Sequence, residues 1–482
     1  MTFSLLALIL IPVGYFALWP LVARWLGPDG SSPLETALAA LGLSVGALGL
    51  LLMWIGFLPG RRLTGWAALI VVLLSLGIGL AVNRAWVAPS RWRAYWQAQW
   101  RRLIALDLDA LLLWTIIGAL AVILINDLYY PFIGDDVLAR YGLHARQIYD
   151  AGRIPNSVWG YPPLAPLAFV ATWFAAGEAN EHLARLFPFV MAAGSVGAAI
   201  LIGRRLYGRT AGLLAGAVIA LTPMFVNYAT LAYTDIPTAF PLALAALFVL
   251  RWWESGRGRD AALSGALLGA AILTKQSALT GLASLAALPP LWLAGTRGQP
   301  IEGRWRRALS ALAWMIVLPV VIAGPWFVRN ALIGTWRNAI PVAGLYHILG
   351  EQTGWQGIIP PLGWPRDFGH ALAPVYGLGW IVGLVMGARQ TWGVIRGDIR
   401  DAPNELILLA VIVPYWLAWW LRFSFEGRFL LVILPLYAAL AAWPGRGSGP
   451  RCWPGCCSWP CAGAWVECIA RWRSLSSPML SG

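Results

Sequence analysis

Two carboxylates, Asp135 and Asp136, stand together after Gly134 at the head of an amphipathic run that reaches about Ala151. A carboxylate beside a like charge and partly withdrawn from water is suited to accept a proton, which makes Asp135 the candidate general base. The structural alternative is local: Asp135 caps the helix and Asp136 pairs with Arg140 at i,i+4. Asp235, in Tyr-Thr-Asp-Ile-Pro, is a third candidate acid. A carboxylate at membrane depth is costly and by default functional, although a helix cap ahead of Pro237 would also place it there. Lys275 is the only lysine in a chain whose lysines and arginines total 35. An anchoring or topological charge would be met equally well by arginine, so a lysine kept here suits a compact phosphate ligand. Arg428, in Phe-Glu-Gly-Arg-Phe, is a second candidate phosphate contact, with snorkelling or pairing to Glu426 as its alternative. Tyr161, His347 and Glu351 complete the set as candidate substrate-loop residues. The last two have i,i+4 spacing, but two ligands fall short of a metal site and also describe a solvated helix face.

The elements that hold these groups are membrane spans. The chain has 482 residues, 59% of them hydrophobic and 12% charged, with a mean hydropathy of +0.68. That is too apolar for a soluble globular protein. Apolar runs of about 17–25 residues recur along the chain, and no period-2 alternation of barrel strands is visible, so the class is an all-α polytopic membrane protein. The reading is about twelve transmembrane helices, with an interfacial helix in the loop that carries Asp135. A net charge of +14 is explained by insertion topology rather than by nucleic acid, and the 30 tryptophans suit interfacial belts.

Spans at 3–26, 34–58 and 64–83 precede a basic, Trp-rich stretch containing Arg84, Arg91, Arg93, Arg101 and Arg102. The first reads as an anchor rather than a cleaved signal. A span at about 109–128 then leads out to the Asp135 loop. If the short apolar segment 164–177 stays at the interface, the arginine clusters at 204–209, 251–259, 297–307 and 389–400 all fall inside. Asp135, Asp136, Tyr161, Asp235, Lys275, the 329–370 loop and Arg428 then share the outer face. Arg61 and Arg62 alone resist this assignment. Three regions follow: 1–105, additional spans and the basic stretch; 106–443, the membrane core that carries the candidate catalytic residues; and 444–482, an irregular tail. The five cysteines, Cys452, Cys456, Cys457, Cys461 and Cys468, lie in that tail, which lacks zinc spacing and reads as frame-shifted or non-native.

The order Gly-Asp-Asp plus amphipathic helix, Tyr-Pro-Pro-Leu, Tyr-Thr-Asp-Ile-Pro, Leu-Thr-Lys and Arg-Phe-Leu-Leu-Val-Ile-Leu-Pro resembles the GT-C membrane glycosyltransferases. The likeness is to the protein O-mannosyltransferase and aminoarabinose (lipid A) transferase branch and covers about residues 109–443. It implies a polyprenyl-phosphate sugar donor, an acceptor hydroxyl on a protein, glycan or lipid, and a site facing outside the plasma membrane. By the same resemblance Asp135 is the base, Asp136 stands where Glu is usual, Asp235 is the acid of the second outer loop, and Lys275 and Arg428 lie near the donor phosphate. Tyr161 departs from the lysine that the aminoarabinose transferases carry before Pro-Pro-Leu, which leaves the sugar open. The implied reaction is an inverting single displacement. No cofactor is demanded by it; a divalent cation is compatible, but two cationic side chains already screen the phosphate. The competing class is a transporter or flippase of lipid-linked sugars, which would place charges near the bilayer midplane and often shows repeated halves.

Overall fold

The computed structural model describes residues 13–445 except 28–30, 59, 61, 83–92, 94–95, 98–99, 102, 106, 298–300, 336–367, 398–402 and 424–425. The start of the first expected span, His347 and Glu351 with most of the 329–370 loop, and the cysteine-bearing tail lie outside the described residues. Among the described residues every regular element is helical. Eight helices are long and apolar enough to cross a bilayer: Pro33–Phe57, Gly65–Val82, Leu108–Tyr129, Glu181–Tyr207, Asp235–Ser255, Gln276–Gly295, Arg304–Leu332 and Gly427–Gly445. A bent pair makes up to nine. The expected figure of about twelve exceeds this because Gly258–Thr274, Ala373–Arg396 and Asn404–Phe423 form where spans were read but are too short or too polar to qualify. The chain is a multi-pass α-helical membrane protein.

Local chemistry explains the starts and breaks. Ser32 accepts a hydrogen bond from the Glu35 N–H at 3.2 Å and Pro33 opens the first turn, so Pro33–Phe57 begins on a side-chain cap with a pre-set φ. This helix packs closely on Gly258–Thr274. A Cβ added at Gly46 would lie 2.9 Å from the Ala270 Cβ, and one at Gly42 would lie 2.7 Å from a Leu267 methyl. Small residues at such crossings let backbones approach where lipid supplies no hydrophobic drive between helices. The Glu35 carboxylate also pairs with Arg251 on Asp235–Ser255.

The apolar run at about 210–227 reads in the sequence as a single span, but it forms two helices, Arg209–Leu221 and Pro223–Ala229, bent by 65°. Thr222 precedes Pro223 and takes an extended ψ of 119°, the conformation that the proline ring imposes on its predecessor. Beyond the break, the Tyr228 ring lies 5.5 Å from that of Tyr233, and the Thr230 carbonyl accepts from Arg185. Segment 164–177 forms Leu164–Ala176, which ends at Gly177 with φ +80°. Its residues Leu164, Leu167, Phe169, Val170 and Trp173 are buried among other helices, so protein rather than lipid covers it.

The amphipathic run after Gly134 is helical to Ala151, through a π-type turn at Val137–Tyr141 and the α-helix Gly142–Ala151. Val137, Tyr141, Ala145 and Ile148 form its buried face, as the spacing predicts. Gly152, at φ +58°, closes it in the left-handed conformation that glycine adopts without penalty.

Candidate functional site

Gly134 lets the acidic turn reach its place. A Cβ there would sit 2.4 Å from a ring carbon of Tyr233 and 3.2 Å from the Leu231 carbonyl, so the backbone approaches this aromatic ring more closely than any side chain permits. The Leu138 N–H donates to the Gly134 carbonyl at 2.9 Å, which makes Gly134 the cap and puts both aspartates in the first helical turn. Negative charge is favoured there by the helix dipole. The Asp136 N–H, one of the helix's spare donors, is 3.3 Å from the Tyr233 hydroxyl.

The two aspartates have different surroundings. Asp136 is partly buried between two guanidiniums: Arg140 at 3.7 Å, the i,i+4 partner expected from the sequence, and Arg428 at 2.8 Å. Asp135 is exposed, and among the described residues nothing bonds its carboxylate. The capping role considered for it is therefore not seen, and its oxygens are open to a substrate.

Asp235 occupies the first helical position of Asp235–Ser255, after Thr234 at the cap, and is buried. Its Oδ1 lies 2.5 Å from the Lys275 Nζ, itself only 7% exposed. Lys275 follows the last residue of Gly258–Thr274, where a cation complements the carbonyl end of the helix. The Nζ also stands 4.4 Å from the centroid of the Phe429 ring. The Arg428 guanidinium lies 5.1 Å from the same ring and 4.9 Å from that of Tyr233. Phe429 is thus shared by two ion pairs, Asp235–Lys275 and Asp136–Arg428. Its backbone is held by the Tyr415 hydroxyl, which donates to the Phe429 carbonyl at 3.0 Å. Glu426 is 3.8 Å from the Arg428 Nε, a buried nitrogen with no hydrogen-bond partner among the described residues.

Tyr161 joins the same cluster. Its hydroxyl accepts from Arg140, whose guanidinium lies 5.0 Å from the Tyr161 ring centroid, and its ring meets Tyr141 edge-on at 5.4 Å. Burial pushes the Tyr161 hydroxyl up from its usual range, so it works as a neutral phenol. His144 stands one turn beyond Arg140; burial first, and then that guanidinium, push it down to about 4. At neutral pH it carries no charge and holds no acidic proton to give. The structure therefore brings together Asp135, Asp136, Tyr161, Asp235, Lys275 and Arg428, while His347 and Glu351 lie outside the described residues.

Three participants were not singled out in the sequence. Phe429 and Tyr233 adjoin residues that were, but nothing local shows that their rings would face distant cations. The third is Arg185, which is wholly buried. It donates to the Asp127 carboxylate at 2.9 Å, to the Asn126 side chain at 3.1 Å, and to the carbonyls of Tyr130 and Pro131 at 2.7 and 2.6 Å. It also reaches the carbonyl of Thr230. One side chain thus ties the approach to Gly134 to the turn before Asp235. The available signal was a charge at the head of an apolar span facing Asp127 at the end of another.

Among the described residues no three His, Cys, Asp or Glu side chains gather as a metal set. Asp136, partly buried, and Asp235, buried, are each committed to a cation. The described donors do not fit a divalent ion.

Residues 161–323 match the family model of dolichyl-phosphate-mannose-protein mannosyltransferases, a stretch that contains Tyr161, Asp235 and Lys275. The chain superposes on ArnT from Cupriavidus metallidurans bound to undecaprenyl phosphate with a TM-score of 0.53 and 19% identity, over 69% of this chain and 59% of that one. Over that stretch the fold is like that of ArnT. The apo form of the same ArnT matches at TM-score 0.49 and 20% identity, with the same 69% and 59% coverage. The oligosaccharyltransferase AglB from Archaeoglobus fulgidus, in complex with an inhibitory peptide and a dolichol-phosphate, matches at 0.45 and 14%, over 68% and 50%. The chain thus spans less than two thirds of the length of these solved structures. No curated protein matches it.

Proposed function

We propose that this chain transfers a sugar from a polyprenyl-phosphate donor to an acceptor hydroxyl, at a site facing outside the plasma membrane. One observation carries the reading: Lys275 and Arg428 both approach the Phe429 ring, each on a carboxylate, and among the described residues nothing bonds the carboxylate of Asp135, next to Asp136. A donor phosphate would share those two cations with Asp235 and Asp136. The matched ArnT is bound to undecaprenyl phosphate and the matched family is named for dolichyl-phosphate-mannose, which supports the same class of donor here.

In the reaction so inferred, Asp135 takes the acceptor hydroxyl's proton as the oxygen attacks the anomeric carbon. The bond from that carbon to the phosphate oxygen breaks, and its electron pair leaves on the polyprenyl phosphate. Lys275 and Arg428 meet the charge that develops there. A single displacement inverts the anomeric centre. The region 106–443 would be the catalytic core and 1–105 an addition to it. No step uses a metal; turnover measured after chelation tests the divalent cation that the chemistry leaves open.

Incubating the purified protein with labelled polyprenyl-phosphate sugars and candidate acceptors tests the reading directly. Transfer with inverted product stereochemistry supports it, whereas lipid-linked sugar that crosses vesicles without transfer supports a flippase. For the outer location, a cysteine at Asn156 should label from outside intact cells; labelling only after permeabilisation would place the site on the other side.

Lys275 separates phosphate binding from simple charge. Lys275→Arg puts a planar fork into a closed space between Asp235 and Phe429 and should weaken use of the lipid donor. Lys275→Ala should weaken it further, by more than about tenfold, since a charge-assisted hydrogen bond is worth roughly 1.5–3 kcal/mol. Alanine alone leaves Asp235 buried without its partner, so the control is Lys275→Ala with Asp235→Asn. That double variant should regain thermal stability but not donor affinity. If donor affinity returns with stability, Lys275 has only a structural role.

A further inference from the structure

At the other end of the bundle, a groove of about 380 Å³ opens between the helices Thr280–Gly295 and Arg304–Leu332. Pro289 and Pro290 lie inside the first of these helices and on the groove wall. Neither has an N–H to donate, so the helix loses two bonds of its regular ladder there. Leu293 and Leu309 add apolar walls, and Ala294 and Ala308 leave room between them. The volume falls within the range of about 300–1,000 Å³ usual for ligand pockets.

The open end of the groove is cationic. Arg297 is exposed and has no ion-pair partner among the described residues. Arg304 donates from one nitrogen to the carbonyls of Thr296 and Arg297, at 3.3 and 2.9 Å, which fixes its guanidinium beside the mouth. Trp305, 63% exposed, stands next to it in the manner of an interfacial residue. From Lys275 to this mouth the chain runs the length of the helix Gln276–Gly295, about 30 Å at 1.5 Å per residue, which is the thickness of the hydrocarbon core. The groove and the candidate site therefore belong to opposite leaflets. Arg306 and Arg307 follow in the same turn, and Arg257 opens the neighbouring helix Gly258–Thr274 at the same end. This is the arginine-rich end that the positive-inside rule assigns to the cytoplasm, where the leaflet is rich in anionic lipid.

We propose that this groove seats one anionic glycerophospholipid, with its phosphate between Arg297 and Arg304 and an acyl chain along Pro289, Leu293 and Leu309. Charge complementarity at the mouth and an apolar wall running about 12 Å inward from Arg304 to Leu312 suit a molecule with one anionic head and a hydrocarbon tail. Such basic pockets between spans are a known form of headgroup recognition. The site is independent of the donor chemistry proposed above.

The test titrates the full-length protein in detergent with phosphatidylglycerol and with phosphatidylcholine of the same chains, following bound lipid by native mass spectrometry. Phosphatidylglycerol should bind at least tenfold more tightly. Arg297→Gln, a change on an exposed side chain, should remove most of that preference. Ala294→Leu, which fills the groove, should weaken both lipids, while Lys275→Ala should leave phosphatidylglycerol binding unchanged. Equal affinity for the two lipids overturns the proposal, as does a preference that survives both Arg297→Gln and Ala294→Leu. If undecaprenyl phosphate displaces phosphatidylglycerol equally well in the wild type and in Lys275→Ala, the groove is a donor-lipid site and the proposal also fails.

Discussion

Asp135→Asn lowers turnover by roughly 10²–10⁴-fold, the range for loss of a positioned general base, and leaves donor affinity within about twofold of wild type. The expectation rests on what touches the carboxylate. Asp136 and Asp235 both hold cations, so proton acceptance by either would release a guanidinium or an ammonium into a buried site. Among the described residues Asp135 holds no cation and its carboxylate has no other partner, so it can take a proton without dismantling the cluster. Asparagine keeps the shape and removes the basic lone pair. Asp136→Asn should behave differently: it frees Arg428 and Arg140 and should act chiefly on the donor KM. The measurement is single-turnover transfer with saturating donor, paired with donor binding. An Asp135→Asn protein that folds and turns over at the wild-type rate would make Asp135 a surface residue of the helix.

Helices and their faces were legible in the sequence because both depend on neighbours a few residues apart. The stripe Val137, Tyr141, Ala145 and Ile148 is buried as its spacing predicts, and Asp136 meets Arg140 at i,i+4. The candidate residues, too, could be picked out singly: a lone lysine, a carboxylate opening a span and paired aspartates each stand out against an apolar chain. What could not be read was how they combine. Lys275 and Asp235 are 40 residues apart and Arg185 and Asp127 are 58 apart, and no periodicity links positions on different helices. Phe429 in reach of two cations, and Tyr233 against Gly134, are likewise products of packing. The 65° break at Thr222-Pro223 carried a local signal, a residue before proline, but the apolar run through it reads as one span because hydropathy does not register direction. The count of spans fell for a related reason: Gly258–Thr274, 17 residues long, is largely covered by protein and does not need the length that lipid demands.

Arg185→Leu is expected to destabilise the fold by about 3–5 kcal/mol, the cost of leaving a buried charge without its partner. Both side chains of the Arg185–Asp127 pair have no solvent exposure, and Asp127 Oδ2 already lacks a hydrogen bond among the described residues. With the guanidinium gone, the Asp127 carboxylate and the carbonyls of Tyr130, Pro131 and Thr230 would lose donors that no water replaces at this depth. Arg185→Lys retains the charge but not the planar fork that spans both turns, so it should recover only part of the loss. The informative partner is Arg185→Leu with Asp127→Leu, which removes the unpaired charge and should restore much of the stability. Function separates the two roles of this side chain. If Arg185 only neutralises Asp127, the double variant recovers transfer together with its unfolding temperature. If it also sets the distance between the Gly134 and Asp235 turns, the double variant melts near wild type, yet its donor KM stays raised. Thermal unfolding in detergent, followed by donor titration on the same preparations, decides between these outcomes. A single Arg185→Leu variant that unfolds at the wild-type temperature would contradict both, and would mean that the two turns are held by their own packing.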